Sequence, residues 1–139
     1  MNIFIDANIF LDYFDTNREN HIFSKKAFEY CIINGFTIFT SCDLITTIYY
    51  INSKYNKNSA LHNISIINKL VKIVEFSNQE ITKTYNLMTE NREYKDLEDT
   101  LQYILAKKVK SDFIITNDKN FISKDIPTIS SKEFCLKFV

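Results

Sequence analysis

At 139 residues, 45% hydrophobic and 24% charged, the chain has the balance of an ordinary globular protein, and its length suits one domain over 1–139 with a sizeable core. Its 17 basic and 17 acidic side chains cancel to a formal net charge of zero, so no global field attracts nucleic acid and any such partner needs a local patch. Cys31, Cys42 and Cys135 are widely spaced and form no Cys-x-x-Cys pair, which reads as reduced thiols of a cytoplasmic protein. His21 and His62 stand alone and argue against a zinc site of Cys and His. No apolar stretch approaches the roughly 18 residues of a membrane span, and the start lacks the basic region of a secretory signal.

A single Gly and a single Pro leave little room for long loops or a turn-rich all-β fold. The run Ile3-Phe4-Ile5 predicts a buried strand over 2–5, followed by a short helix over 7–14. Ile22, Phe23, Ala27, Tyr30, Cys31 and Ile33 recur at helical spacing, and Asn34-Gly35 supplies the stop for a helix over 21–34. A second strand follows at 36–39, then helices at 43–55 and 59–70, the latter with the stripe Leu61, Ile64, Ile67, Leu70. A third strand at 72–76 precedes helices at 78–90 and 96–109, and Leu97, Leu101, Ile104, Leu105 and Val109 form the expected buried face of the last. A fourth strand spans 112–115. Ile126-Pro127-Thr128-Ile129 reads as a short fifth strand at a sheet edge, because Pro cannot donate to a ladder. Strands alternating with helices predict an α/β fold: a three-layer α/β/α sandwich with a central parallel sheet of four to five strands.

In such a sheet all strand carboxyl ends lie on one edge, where open α/β folds bind ligands. Asp6 follows the first strand, Ser41 and Asp43 the second, and Thr116 and Asp118 the fourth. Asp96 and Asp99 are three apart in a first helical turn and share one side of it with Tyr103. Each acid has a structural explanation: first-turn acids offset the helix dipole, and Asp118 in Asn117-Asp118-Lys119-Asn120 suits a solvated turn. Together, Asp6, Asp96, Asp99 and Asp118 point to one pocket whose mutual repulsion a hard divalent ion, Mg²⁺ or Mn²⁺, would relieve. Lys107, Lys108 and Lys110 near a helix C terminus answer to the dipole, whereas Tyr49, Tyr50, Lys54, Tyr55 and Lys57 interleave rings and cations as a stacking surface, a core or a dimer face would.

Four segments carry a resemblance to a known family: Phe4-Ile5-Asp6-Ala7-Asn8-Ile9-Phe10-Leu11-Asp12, the stretch from Ser41 to Ile51, Asp96-Leu97-Glu98-Asp99-Thr100-Leu101-Gln102, and Ile114-Ile115-Thr116-Asn117-Asp118-Lys119-Asn120-Phe121. In this order they resemble the PIN-domain nucleases, including the VapC-type toxin ribonucleases of toxin–antitoxin pairs. The resemblance implies a Mg²⁺- or Mn²⁺-dependent endoribonuclease whose first, third and fourth acidic ligands match Asp6, Asp99 and Asp118. It implies Asp96 as an accessory ligand acting through water, and Asn8, Thr116 and Ser41 as supporting residues. It also implies an RNA substrate, products with a 5′-phosphate, a small antitoxin partner and a homodimer. One position departs from the pattern: Thr47 stands where the family usually carries its second acid, as in a branch with an uncharged residue there. Asp43, one turn earlier, reads as either a substitute carboxylate or a helix cap. The departure leaves a catalytically weakened binding or scaffold module as the alternative function.

Overall fold

A computed structural model describes residues 1–139. The elements run β1 (Asn2–Ile5), α1 (Ala7–Phe14), α2 (His21–Ile33), β2 (Thr37–Ser41), α3 (Cys42–Ser53), α4 (Lys57–Leu70), β3 (Lys72–Val74), α5 (Asn78–Glu90), α6 (Leu97–Lys108), β4 (Phe113–Ile115), β5 (Thr128–Ile129) and α7 (Ser131–Phe138). Five strands form one parallel sheet in the order β3-β2-β1-β4-β5, with helices flanking it. The three-layer reading therefore holds, with five strands. Its inner members are continuous apolar runs because helices cover both faces: Ile3, Phe4, Ile5, Ile114 and Ile115 are fully buried. The alternating side chains feed two cores. Ile3 and Ile5 face Phe10, Phe28, Leu44, Ile48 and Phe134, and Phe4 faces Leu105, Tyr94, Tyr103 and Phe121 on the other side.

β5 is the two-residue edge strand expected from Pro127, whose carbonyl accepts the Ile114 amide at 3.0 Å while its missing N–H costs nothing. The C-terminal helix α7 was not expected from the sequence. Its start is nonetheless written there as a capping box: Ser130 Oγ accepts from Glu133 N at 3.1 Å, and Glu133 Oε2 accepts from Ser130 N at 2.9 Å. Phe134 on this helix fills the first core with Tyr30 and Phe138. Ser130→Ala should lower stability by about 1 kcal/mol in urea titration, while Lys132→Ala, on the exposed face of the same helix, should change it little.

Three predicted apolar faces turn out differently. Leu97 is 57% exposed because the first turn of α6 forms the lip of a cleft instead of lying over the sheet. Leu61 and Leu70 are also exposed, so Ala60 and Ile67 carry the burial of α4. On α2, Ile22 and Ile33 face solvent while Ala27, Phe28 and Cys31 are buried.

Candidate active site

The strand register alone brings the first groups together. Ile5 pairs with Ile115 and Phe4 with Phe39, so Asp6, Thr116 and Ser41 end three adjacent strands at one level. The chain moves outward from β1 through β2 to β3 and returns to the other side of β1 at β4, so β1 and β4 flank a topological switch point, where open α/β sheets bind ligands. Helices that connect parallel strands run back against them, which places the N termini of α1, α3 and α6 on this same edge. Their positive ends favour anions there.

Asp6 is 5% exposed and sits at the N terminus of α1. Its Oδ1 accepts from Ala7 N at 2.7 Å. Its Oδ2 accepts from Thr116 Oγ1 at 2.7 Å and Asn8 Nδ2 at 3.0 Å. Burial raises its pKa, against the lowering effect of the Thr116, Ala7 and Gln102 contacts, and the Asp118 charge raises it further. Asn8 and Thr116 thus hold this carboxylate in one orientation. Thr116 Oγ1 also accepts from Asp118 N at 3.1 Å, and Asn8 Oδ1 accepts from Asn117 N at 3.2 Å, which couples the two strand ends.

The turn after β4 is anchored from behind. Asn117 Nδ2 donates to Asp12 Oδ2 at 2.9 Å, and its Oδ1 accepts from Ser131 N at 2.9 Å. Asp12, 3% exposed, also accepts from Ser24 Oγ and Arg18 Nε, each at 2.8 Å. Asp118 Oδ1 accepts from Asn120 N at 2.9 Å, the Asx turn expected of that tetrapeptide.

From the other side, Asp96 caps α6, its Oδ1 accepting from Asp99 N at 2.9 Å. Asp99 one turn in is pushed up to about 7, first by burial and then by the charges of Asp96, Asp6, Asp118 and Glu98. Glu98 is raised as well, by burial and then by Asp43, Asp6 and Asp96. Asp96, Asp99 and Asp118 line a cleft of about 900 Å³, whose walls also carry Arg92, Lys95 and Lys119. Asp6 lies buried behind this cleft.

Several expectations need correction. Tyr103 shares the Asp99 side of α6 but turns into the second core, 3% exposed, where its hydroxyl donates to Asp125 Oδ2 at 2.9 Å. It takes no part in the acidic pocket, because one further turn of helix carries it from the lip to the sheet. Asp43 is not the cap of α3: Ser41 occupies that position, and Ser41 Oγ donates to Asp43 Oδ1. Thr47 is half-buried on α3. Lys107 and Lys108 pair with Asp125 and Glu80 in addition to facing a helix end. The sequence reading assigned no role to Glu98, Gln102 or Asp12. Gln102 had a signal: it is a polar residue three positions after Asp99 within an apolar helix face.

The donor set is carboxylate oxygen, which suits a hard divalent cation. No three acidic, His or Cys side chains are already closed to ligating distance.

Without metal, the crowding of Asp99 has a measurable consequence. Its folded-state pKa of about 7 lies above the ordinary value of 3.8, so the folded chain binds this proton more tightly than the unfolded chain. The resulting stability is complete below about pH 4 and is lost as pH rises through about 7. In EDTA, the melting temperature of Asp99→Asn should therefore gain on the wild type between these pH values. A gap that stays constant from pH 4 to 8 would refute the raised pKa of Asp99.

Comparison with known proteins agrees with this architecture. The PIN domain profile matches residues 2–120. Ribonuclease VapC1 of Aquifex aeolicus is 44% identical over 133 residues, covering 96% of this chain and 92% of that protein. Among solved structures, VapBC2 from Rickettsia felis, bound to a DNA fragment from their promoter, superposes with a TM-score of 0.71 at 20% identity, covering 94% of this chain and 98% of that one. Mycobacterium tuberculosis VapC20, described as a Sarcin-Ricin loop cleaving toxin, gives 0.71 at 11% identity, covering 86% and 92%. At these identities the structural likenesses concern the fold. The family match covers most of the chain and the 44% identity extends over 96% of it, and on that ground the chain belongs to the PIN-domain family.

Proposed function

We propose that the chain is an endoribonuclease, the toxin of a type II toxin–antitoxin pair, which hydrolyses RNA phosphodiester bonds with Mg²⁺ or Mn²⁺ held by Asp6, Asp99 and Asp118 and assisted by Asp96. The observation that carries the reading is the placement of Asp6 and Asp118 at the ends of the two strands that flank the switch point, with Asp118, Asp96 and Asp99 lining one cleft there; the 44% identity to a ribonuclease supports the reaction class. The bound ion would polarise a phosphoryl oxygen and lower the pKa of a coordinated water. Thr116, Asn8 and the Ala7 amide hold the Asp6 carboxylate in one orientation. Arg92, Lys95 and Lys119 in the cleft wall offer cations to the RNA backbone, the local patch that a neutral chain needs. Ser41 supports the site through Asp43, and Thr47 leaves it without the usual acid on α3.

The family relationship also supports a small antitoxin as partner, and the exposed Tyr50, Tyr55 and Leu61 of the α3–α4 region supply apolar surface for it or for a second copy in a homodimer. No helix is long and apolar enough to cross a membrane, which is compatible with action in the cytoplasm. The test is cleavage of a mixed RNA pool by wild type and Asp6→Asn, with Mn²⁺ and with EDTA. Cleavage that survives EDTA, or that the two proteins share, would overturn the proposal. Absence of cleavage by the wild type with Mn²⁺ would favour the weakened binding module.

A further inference from the structure

Gln102 is 1% exposed, and neither its Oε1 nor its Nε2 has a hydrogen-bond partner. Native chains rarely bury an amide in this state, because the group loses its water and gains nothing in return. Leucine or methionine would fill the same space on α6 without that cost. Gln102 follows Asp99 by three positions and so lies on the same face of the helix. Its amide also bears on the Asp6 carboxyl and favours the charged form, short of a formed hydrogen bond.

The donors that already hold Asp6, namely Ala7 N, Asn8 Nδ2 and Thr116 Oγ1, all come from the β1–α1 and β4 side. None comes from α6, the helix that carries Asp99. We propose, resting on the metal-dependent reading above, that Gln102 is a positioning residue whose Nε2 donates to the Asp6 carboxylate once the site is loaded, locking α6 and Asp99 against the end of β1. A cation bound at this corner would offset the mutual repulsion of Asp6 and the acids on α6, and so favour the approach of the Gln102 amide to the Asp6 carboxylate. The unpaired amide is then a site set for its ligand rather than a packing defect.

The experiment is Mn²⁺ titration by calorimetry of wild type and Gln102→Met, with melting temperatures in EDTA as the second readout. The variant keeps length and volume and loses the donor. Mn²⁺ affinity should weaken about ten- to a hundredfold, the range for residues that orient metal ligands. The EDTA melting temperature should stay level or rise, since an unpaired buried group has been removed. Wild-type affinity in the variant would overturn the inference, as would a drop in the EDTA melting temperature with affinity unchanged, which would mark Gln102 as a core residue. Should Gln102→Met fail to fold, Gln102→Leu is read in the same way, and failure of both would also overturn it. A wild type that binds no Mn²⁺ would remove the metal site itself and this inference with it. Binding by the wild type with an unaffected variant would remove the inference alone.

Discussion

Asp6→Asn is expected to keep the fold and to lower Mn²⁺-dependent RNA cleavage by at least about a hundredfold, a lower bound taken from the effect of residues that merely orient metal ligands. Asn retains an oxygen to accept from Ala7 N, so the start of α1 survives. What disappears is the charge. The amide that replaces Oδ2 also meets two donors, Thr116 Oγ1 and Asn8 Nδ2, where the carboxylate met them as an acceptor. Against this, the variant no longer buries a charged group whose pKa is raised by desolvation. These two effects oppose each other, so the melting temperature in EDTA should move only slightly. Loss of cleavage with a wild-type circular dichroism melt is the expected pair of results, and unchanged cleavage would exclude Asp6 from the chemistry.

The largest stability effect should come from a carboxylate outside the cleft. Asp12→Ala is expected to cost roughly 2–4 kcal/mol in urea titration, because it removes a buried acceptor of three hydrogen bonds and strands its donors. Ser24 Oγ is buried, and Asn117 Nδ2 would be left with Ser24 Oγ at 3.2 Å as its remaining partner. Arg18→Ala should cost less than about 1 kcal/mol, since that side chain is 38% exposed and its ion pair is screened by water. The contrast separates the buried donors of Asp12 from its one solvent-exposed donor. Because Asn117 anchors the turn that carries Asp118, Asp12→Ala should also reduce RNA cleavage in protein that remains folded. Equal costs for the two substitutions would refute this division.

Most elements were legible because their signals are local. The apolar run of β1, the Asn34-Gly35 stop of α2 and the Pro127 edge strand each state a backbone preference that neighbouring residues do not override. The positive φ of Gly35, 68°, is the left-handed turn that such a stop requires. Helix α7 is not legible from periodicity although its capping box is equally local, because its eight residues make only about two turns and Phe134 alone among its apolar side chains is fully buried. Leu97, Leu61 and Leu70 were placed in the core from periodicity. Periodicity gives the face of a helix but not how far along its length a partner extends, and each of these residues lies where that partner ends or is absent.

What the sequence determined by itself was the alternation of strands and helices and the position of an acid at the end of each relevant element. A parallel sheet with right-handed crossovers then has a single edge for all of them. The tertiary structure decided what those acids experience. Burial raises the pKa of Asp6, and burial followed by the charges of Asp96, Asp6, Asp118 and Glu98 raises that of Asp99 to about 7, because desolvation and the approach of Asp6 and Asp118 depend on distances across elements that no spacing in the chain encodes. The same holds for the anchoring of Asp118 through Asn117 and Asp12. It holds equally for Gln102, whose unpaired amide is visible only once its surroundings are known.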